Sequence, residues 1–193
     1  MSKTKIPQLE TSRLILRTIK RKDAKNVFDY AQDQALSKYV FWQPHQSIRD
    51  SKRFIKDTIK QYQQPNKFMW AIELKDQNIM IGTCGVMRYY QENKTIEIGY
   101  ALNPKFQNKG YMKESLQTII NYIFNNLDII RIQGVCVTEN IASEKTMISC
   151  KMIFEGILHD NFIKDNQIYD CKLLAITKRN YLKNSPNKNK KVN

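Results

Sequence analysis

Residues 97–114 read EIGYALNPKFQNKGYMKE. Together with the two residues before it, the first part of this stretch, Thr95 to Leu102, has the β-branched and aromatic content of a strand, and Pro104 stops it. A helical pattern runs from about Gly110 to Asn126, with Met112, Leu116, Ile119, Ile120, Ile123 and Phe124 on one face. Ile130 to Val137 then reads as a second strand. The result is a β-α-β unit with a local parallel crossover, the natural place to look for a ligand. Gly110 lies where the loop Asn103 to Lys109 turns into the helix, so unpaired backbone N–H groups and the positive end of the helix dipole point out of that turn. Lys105, Lys109 and Lys113 surround it, which suits a pyrophosphate. On backbone logic alone, a solvated basic turn that binds nothing fits equally well.

Working outward, Arg13 to Ile19 (RLILRTI) alternates polar and apolar residues and reads as a half-buried strand. Asp23 reads as the N-cap of a helix through about Gln32. Ser47 and Asp50 resemble a capping box that opens a second helix, ending near Pro65. Phe68 to Leu74 and Met80 to Tyr89 are strands, joined by a hairpin at Lys75 to Asn78. Asn140 opens a short helix, Ala142 to about Cys150, and two strands, about Ile153 to Phe162 and Gln167 to Thr177, close the chain. The predicted order is β-α-α-β-β-β-α-β-α-β-β, an α+β fold (mixed α/β) with a mixed sheet.

At 193 residues the chain suits one domain, 1–182. The eleven residues 183–193, KNSPNKNKKVN, read as a basic disordered tail. No apolar run approaches the roughly 20 residues of a membrane span, and MSKTKIPQLE lacks the apolar stretch of a signal peptide, so a cytoplasmic protein without membrane contact is expected. Cys84, Cys136, Cys150 and Cys171 show no metal-ligand spacing and read as reduced, mostly buried thiols; no metal site is expected. The formal net charge of +14 points to a polyanionic partner, whether nucleic acid, an acidic surface or a phosphorylated cofactor. Basic residues are scattered, without the aromatic-interleaved block of an RNA-binding platform.

Gln107 to Met112 (QNKGYM) resembles the [RQ]-x-x-G-x-[GA] coenzyme A loop of GNAT acetyltransferases. Glu97-Ile98-Gly99-Tyr100 upstream, with Pro104 and Glu114, is similar to the E-I-G-Y…P…Q-x-x-G-Y…E run of the branch that acetylates ribosomal-protein N-termini, the Rim type. Leu9 to Arg17 is similar to that branch's opening strand, and Trp42-Gln43-Pro44-His45 to its W-x-P-H segment. Asn140, Ser143, Lys145 and Glu155-Gly156 are similar to its second coenzyme-contacting stretch, so the resemblance spans Leu9 to about Lys178. Three positions depart from the pattern: Asn108, where glycine is frequent; Met112, in place of a small residue, which would crowd the phosphates; and Lys151-Met152, in place of Gly-Phe.

The resemblance implies a GNAT-like fold: a central, mostly antiparallel twisted sheet, flanked by about four helices, with a V-shaped splay between two parallel strands. It implies a β-bulge near Gly99, with the backbone of Tyr100, Ala101 and Leu102 pairing with the pantetheine arm of acetyl-CoA. Gln107, Asn108, Lys109, Gly110, Tyr111 and Met112 hold the pyrophosphate, while Asn140, Ser143 and Lys145 contact the coenzyme further on.

Direct acetylation of an amine needs a base for the amine, a donor for the developing oxyanion and an acid for the departing thiolate. Glu97 is the leading base, directly or through water, with a cross-strand partnership to a nearby Lys or Arg as its structural alternative. His159 and Asp160 are second-choice bases. The resemblance implies that the Ser143 hydroxyl lies near the coenzyme sulfur as acid or orienter, and because the helix position where many family members carry a tyrosine is Met147, Ser143 is the expected proton donor; plain helix capping is the alternative role of Asn140 and Ser143. A backbone N–H near Ala101 or Leu102 serves the oxyanion. Trp42, His45 and Trp70 are candidate walls of the acceptor pocket, although such aromatics are more often core.

The expected partners are acetyl-CoA and an amine acceptor, with nucleic acid bound only weakly through the basic tail, in a monomer or homodimer. A ribosomal-protein N-terminal amine is the family default. A small-molecule or antibiotic amine is the alternative acceptor, and a basic RNA- or ribosome-associated binding module is the rival from another class.

Overall fold

The computed structural model describes residues 6–64 and 68–184. The predicted elements form with small shifts at their ends: β2 (Leu14–Thr18), α1 (Ala24–Ala31), α3 (Ile48–Gln61), β3 (Met69–Leu74), β4 (Ile79–Tyr90), β5 (Thr95–Leu102), α4 (Tyr111–Asn126), β6 (Arg131–Val137), α5 (Ile141–Ser149), β7 (Ile153–Lys164) and β8 (Gln167–Thr177). Three further elements carried too little pattern to be read: β1 (Leu9–Glu10), α2 (Gln34–Ser37) and α6 (Lys178–Asn184). The described residues therefore contain six helices rather than about four. Lys183 and Asn184, assigned to a disordered tail, close α6; the rest of that tail, 185–193, lies outside the described residues.

The eight strands form one sheet in the order β1-β2-β3-β4-β5-β6-β8-β7. All pairs are antiparallel except β5 with β6, which the α4 crossover makes parallel. That pairing runs only from Thr95 opposite Arg131 to Ile98 opposite Gly134, so Gly99–Leu102 and Val135–Val137 diverge and open a V. A bulge does lie beside Gly99, but on the neighbouring strand. Val86 and Arg88 of β4 face Ile98 and Glu97, leaving Met87 as the extra residue. A Cβ on Gly99 would stand 2.6 Å from Met87 Cγ, so glycine is required there for the Met87 side chain to lie across β5.

The sheet separates two apolar layers. One packs Leu14, Leu16, Trp70, Ile96 and Ile98 under the face of α4 formed by Leu116, Ile119 and Ile123. The other packs Ala71 and Ala101 under Val27 of α1 and Ile55 of α3. The alternation of β3 assigns its residues to these two sides by the two-residue period of a strand. Ser47 and Asp50 form the expected capping box of α3. Asp23 does not cap α1 with its side chain; it is buried and takes both of its oxygens to Arg17, at 2.8 Å each. The four cysteines are free and buried, and burial pushes the Cys136 and Cys150 thiols up to about 11.

Candidate active site

The open end of the V holds a cavity of about 170 Å³. Its floor is β5, where Glu97, Gly99 and Tyr100 contribute, and its far side is Cys136 of β6 with Asn140, Ser143 and Met147 at α5. The opposite side is aromatic: Tyr39, Phe41 and Trp42 from the segment after α2, with His45 and Phe54 beyond. Tyr100, Ala101, Asn140 and Ser143 from the expected coenzyme set thus border one space with Trp42 and His45 from the expected acceptor wall, while Leu102, Lys145 and the loop from Gln107 to Met112 do not line it.

Glu97 reaches this cavity although it is only 8% exposed. Its carboxylate is held by long contacts: Tyr90 Oη and Gln133 Nε2 each at 3.4 Å, and Arg88 Nε at 4.0 Å. The Arg88 contact is the cross-strand pairing, and its length leaves the carboxylate free to accept another proton donor.

Asn140 caps α5, its Oδ1 accepting from Ser143 N at 3.1 Å. Ser143 nevertheless turns its hydroxyl to the cavity, 2.9 Å from the Tyr100 hydroxyl, which also donates to the Ser143 carbonyl at 3.0 Å. The helix lacks a tyrosine at position 147, yet the site has a phenol: Tyr100 supplies it from β5. Sequence reasoning gave Tyr100 only a backbone role, because nothing local reveals that two residues 43 apart meet across the V. Burial pushes the Tyr100 phenol well above the usual tyrosine range, so it stays protonated at neutral pH. Met147 is buried instead, its sulfur occupying the space that a Cβ on Gly134 would enter, at 2.5 Å.

The loop before α4 is where the pyrophosphate was expected. Asn108 and Gly110 both take left-handed conformations, φ 60° and 78°, as asparagine and glycine tolerate. Gln107 Nε2 donates to the Leu102 carbonyl at 3.2 Å, tying the loop to the end of β5. Arg13 clamps it from outside, donating to the Lys109 carbonyl at 2.9 Å and pairing with Glu114 at 2.5 Å, with its guanidinium 4.5 Å from the centre of the Tyr111 ring. Burial works to raise the Glu114 carboxyl, but hydrogen bonds from Thr11 and Arg13 and the Arg13 charge outweigh it and hold the group below its ordinary value. Met112 was expected to crowd the phosphates. It is 7% exposed and packed in the core, because the second residue of α4 lies on its inner face. Lys145 is exposed on α5, and Lys151, which stands where the family pattern has glycine, takes a left-handed φ of 66°.

Among the expected acceptor walls, Trp42 and His45 line the cavity, with their rings 5.8 Å apart. His45 Nδ1 lies 2.8 Å from Ser51 Oγ; burial, with Asp50 opposing and Arg53 assisting, holds its imidazole below the usual histidine range. Trp70 does not belong to the wall. It faces the α4 layer, stacked on Phe68 at 5.7 Å and donating from Nε1 to the Pro7 carbonyl at 2.9 Å. Strand alternation gives its place to Met69, which does line the cavity. His159 and Asp160 stand on the exposed face of the last hairpin, where His159 Nδ1 pairs with Asp170 at 2.9 Å, and neither lines the cavity.

A mixed sheet that opens at its parallel pair, with a left-handed glycine starting the crossover helix, is the arrangement that the resemblance to the GNAT acetyltransferases implies. The chain belongs to the GNAT acetyltransferases: the model of the acetyltransferase (GNAT) domain matches residues 13–153. It is 30% identical over 172 residues to the N-acetyltransferase YoaA of Bacillus subtilis (strain 168), covering 89% of this chain and 97% of that one. It is 27% identical over 130 residues to the ribosomal-protein-serine acetyltransferase of Escherichia coli (strain K12), covering 67% and 72% respectively. Among solved structures, a GNAT-family acetyltransferase from Bacillus anthracis superposes with a TM-score of 0.80 at 27% identity, covering 90% of this chain and 99% of that one. The protein is an N-acetyltransferase and its acyl donor is acetyl-CoA.

Proposed function

We propose that the protein transfers the acetyl group of acetyl-CoA to a primary amine of single charge, a protein N-terminus being the acceptor the site suits best. The observation that carries this reading is the composition of the cavity wall. Glu97 is the one carboxylate among its described lining residues, set opposite a largely aromatic and aliphatic surface. One buried acid serves one ammonium group; a polyamine would leave its remaining charges without partners.

The bound coenzyme supplies an activated thioester. In this reading the β5 backbone from Tyr100 to Leu102 holds its pantetheine arm and the loop from Gln107 to Met112 holds its pyrophosphate. Lys105, Lys109 and Lys113 add positive potential. Glu97 accepts the proton that the amine must lose, directly or through one water. Ser143 Oγ delivers a proton to the thiolate side, and the Tyr100 phenol replaces it by turning its one proton from the Ser143 carbonyl to Ser143 Oγ.

A thiol-release assay over a panel of acceptors tests this: N-terminal peptides against spermidine and an aminoglycoside. Peptides are expected to be turned over with at least tenfold higher kcat/KM. Preferred turnover of spermidine would overturn the single-charge reading, and preferred turnover of the aminoglycoside would assign the small-molecule alternative. The four buried free thiols favour a reducing compartment, so we place the reaction in the cytoplasm.

A further inference from the structure

The segment Ser37 to Gln43 forms the aromatic wall of the cavity through Tyr39, Phe41 and Trp42, yet from Lys38 onward it lies in no helix or strand. Three of its carbonyl groups turn toward a single atom. Lys164 Nζ, at the end of β7, donates to Val40 O at 3.0 Å, to Trp42 O at 2.8 Å and to Ser37 O. Lys164 is 9% exposed, and among the described residues it makes no ion pair. Removing an ammonium from water costs several kcal/mol and usually demands an acid partner. Here three carbonyl dipoles fill that role, assisted by the charge of neighbouring Asp165, while burial holds the ammonium below the usual lysine range.

Weaker contacts surround this point. Gln43 Nε2 donates to Asp165 Oδ1 at 2.8 Å, and the Phe41 ring stands edge-on to Phe162 at 5.0 Å. The Tyr39 ring stands edge-on to Tyr169 at 6.4 Å. The wall is therefore fastened to the β7–β8 hairpin, although in sequence it connects helices on the other side of the cavity.

We infer that Lys164 is a positioning residue for acceptor recognition: its ammonium gathers the carbonyls of Ser37, Val40 and Trp42 and so holds Phe41 and Trp42 as the cavity wall. An ammonium offers three donors from one atom, which matches three converging acceptors. A guanidinium spreads its donors in a planar fork and cannot reproduce that convergence. The inference rests on reading this cavity as the acceptor site, but the tether itself does not depend on which amine binds.

Tryptophan fluorescence of the full chain reads the tether without an acceptor. The chain has two tryptophans; Trp70 is fully buried, so collisional quenching by acrylamide reports Trp42. Lys164→Met is expected to raise the quenching constant severalfold while the Kd for coenzyme A, by calorimetry, stays within about twofold. With a peptide acceptor, KM for the amine is expected to rise tenfold or more with kcat changed far less, and Lys164→Arg is expected to restore it only in part. Unchanged quenching in a Lys164→Met protein that still unfolds cooperatively overturns the inference. If that variant loses its cooperative transition, Lys164→Gln, which keeps a donor and much of the length, carries the same reading: raised quenching supports the tether, and wild-type quenching overturns it. Failure of the wild-type chain to bind coenzyme A would instead count against the site assignment and leave the quenching result intact.

Discussion

The Tyr100 hydroxyl lies 2.9 Å from Ser143 Oγ and 3.0 Å from the Ser143 carbonyl, joining β5 to α5 across the open end of the V. The contact is partly buried and places two hydroxyl groups in series beside the cavity, where the proposed mechanism needs a proton for the departing thiolate. Ser143→Ala is expected to lower kcat by about 10²-fold, the lower range for loss of a positioned acid. Tyr100→Phe should lower it less, and the double variant should fall short of the product of the two effects because the groups act as one unit. Steady-state kinetics by thiol release, with the Kd for coenzyme A as control, checks all three.

Glu97 faces the cavity with its proton-accepting oxygens only loosely held by Tyr90, Gln133 and Arg88. Glu97→Gln preserves the shape and removes the base, so kcat/KM for the amine is expected to drop by about 10²-fold with unchanged coenzyme affinity. Arg88→Ala, which removes only a 4.0 Å contact, is expected to change kcat/KM by less than about threefold.

Gly110 takes φ 78° at the start of α4, and an added Cβ would meet only the Arg13 guanidinium, at 3.4 Å. The penalty of Gly110→Ala is therefore conformational, about 1–2 kcal/mol. If the loop relaxes to escape it, the Kd for coenzyme A should rise about tenfold, equivalent to 1.4 kcal/mol. Calorimetric titration with coenzyme A measures that rise.

His45 sets a pH dependence with a definite sign. Burial lowers its folded-state pKa below the unfolded value of about 6.5, so the imidazole is neutral in both states above that pH and its full contribution to stability is present. As pH falls through that range the unfolded chain takes up the proton first, and stability declines. Thermal midpoints measured from pH 8 to pH 5 should fall more steeply for the wild type than for His45→Gln.

Much of the fold was legible because it is written in periodicity. The helical spacing of Leu116, Ile119, Ile120 and Ile123 and the alternation of Arg13 to Ile19 need no tertiary information, and Pro104 and Gly110 mark the turn between strand and helix locally. The two-residue strand β1 and the short helices α2 and α6, of four and seven residues, escaped, being too short to show the period of their type. Trp70 was misplaced for a related reason. Its neighbour Met69 is equally apolar, and only the pairing of β3 with β4 decides which of the two faces the cavity.

The sequence by itself determined the β-α-β unit and the turn at Gly110, which depend on backbone preference and spacing, both local properties; the slot and the places of Glu97 and Ser143 beside it came from the family resemblance. Only the tertiary structure decided where the opening begins, because the β5–β6 pairing ends after Ile98 and Gly134 while the bulge belongs to Met87 on another strand. It alone brought Tyr100 to Ser143, Arg13 to Glu114 and Lys164 to the carbonyls of Ser37, Val40 and Trp42. Each of those contacts joins residues 43 to 127 positions apart, and no local preference encodes the meeting of such distant groups until the sheet has closed the chain around them.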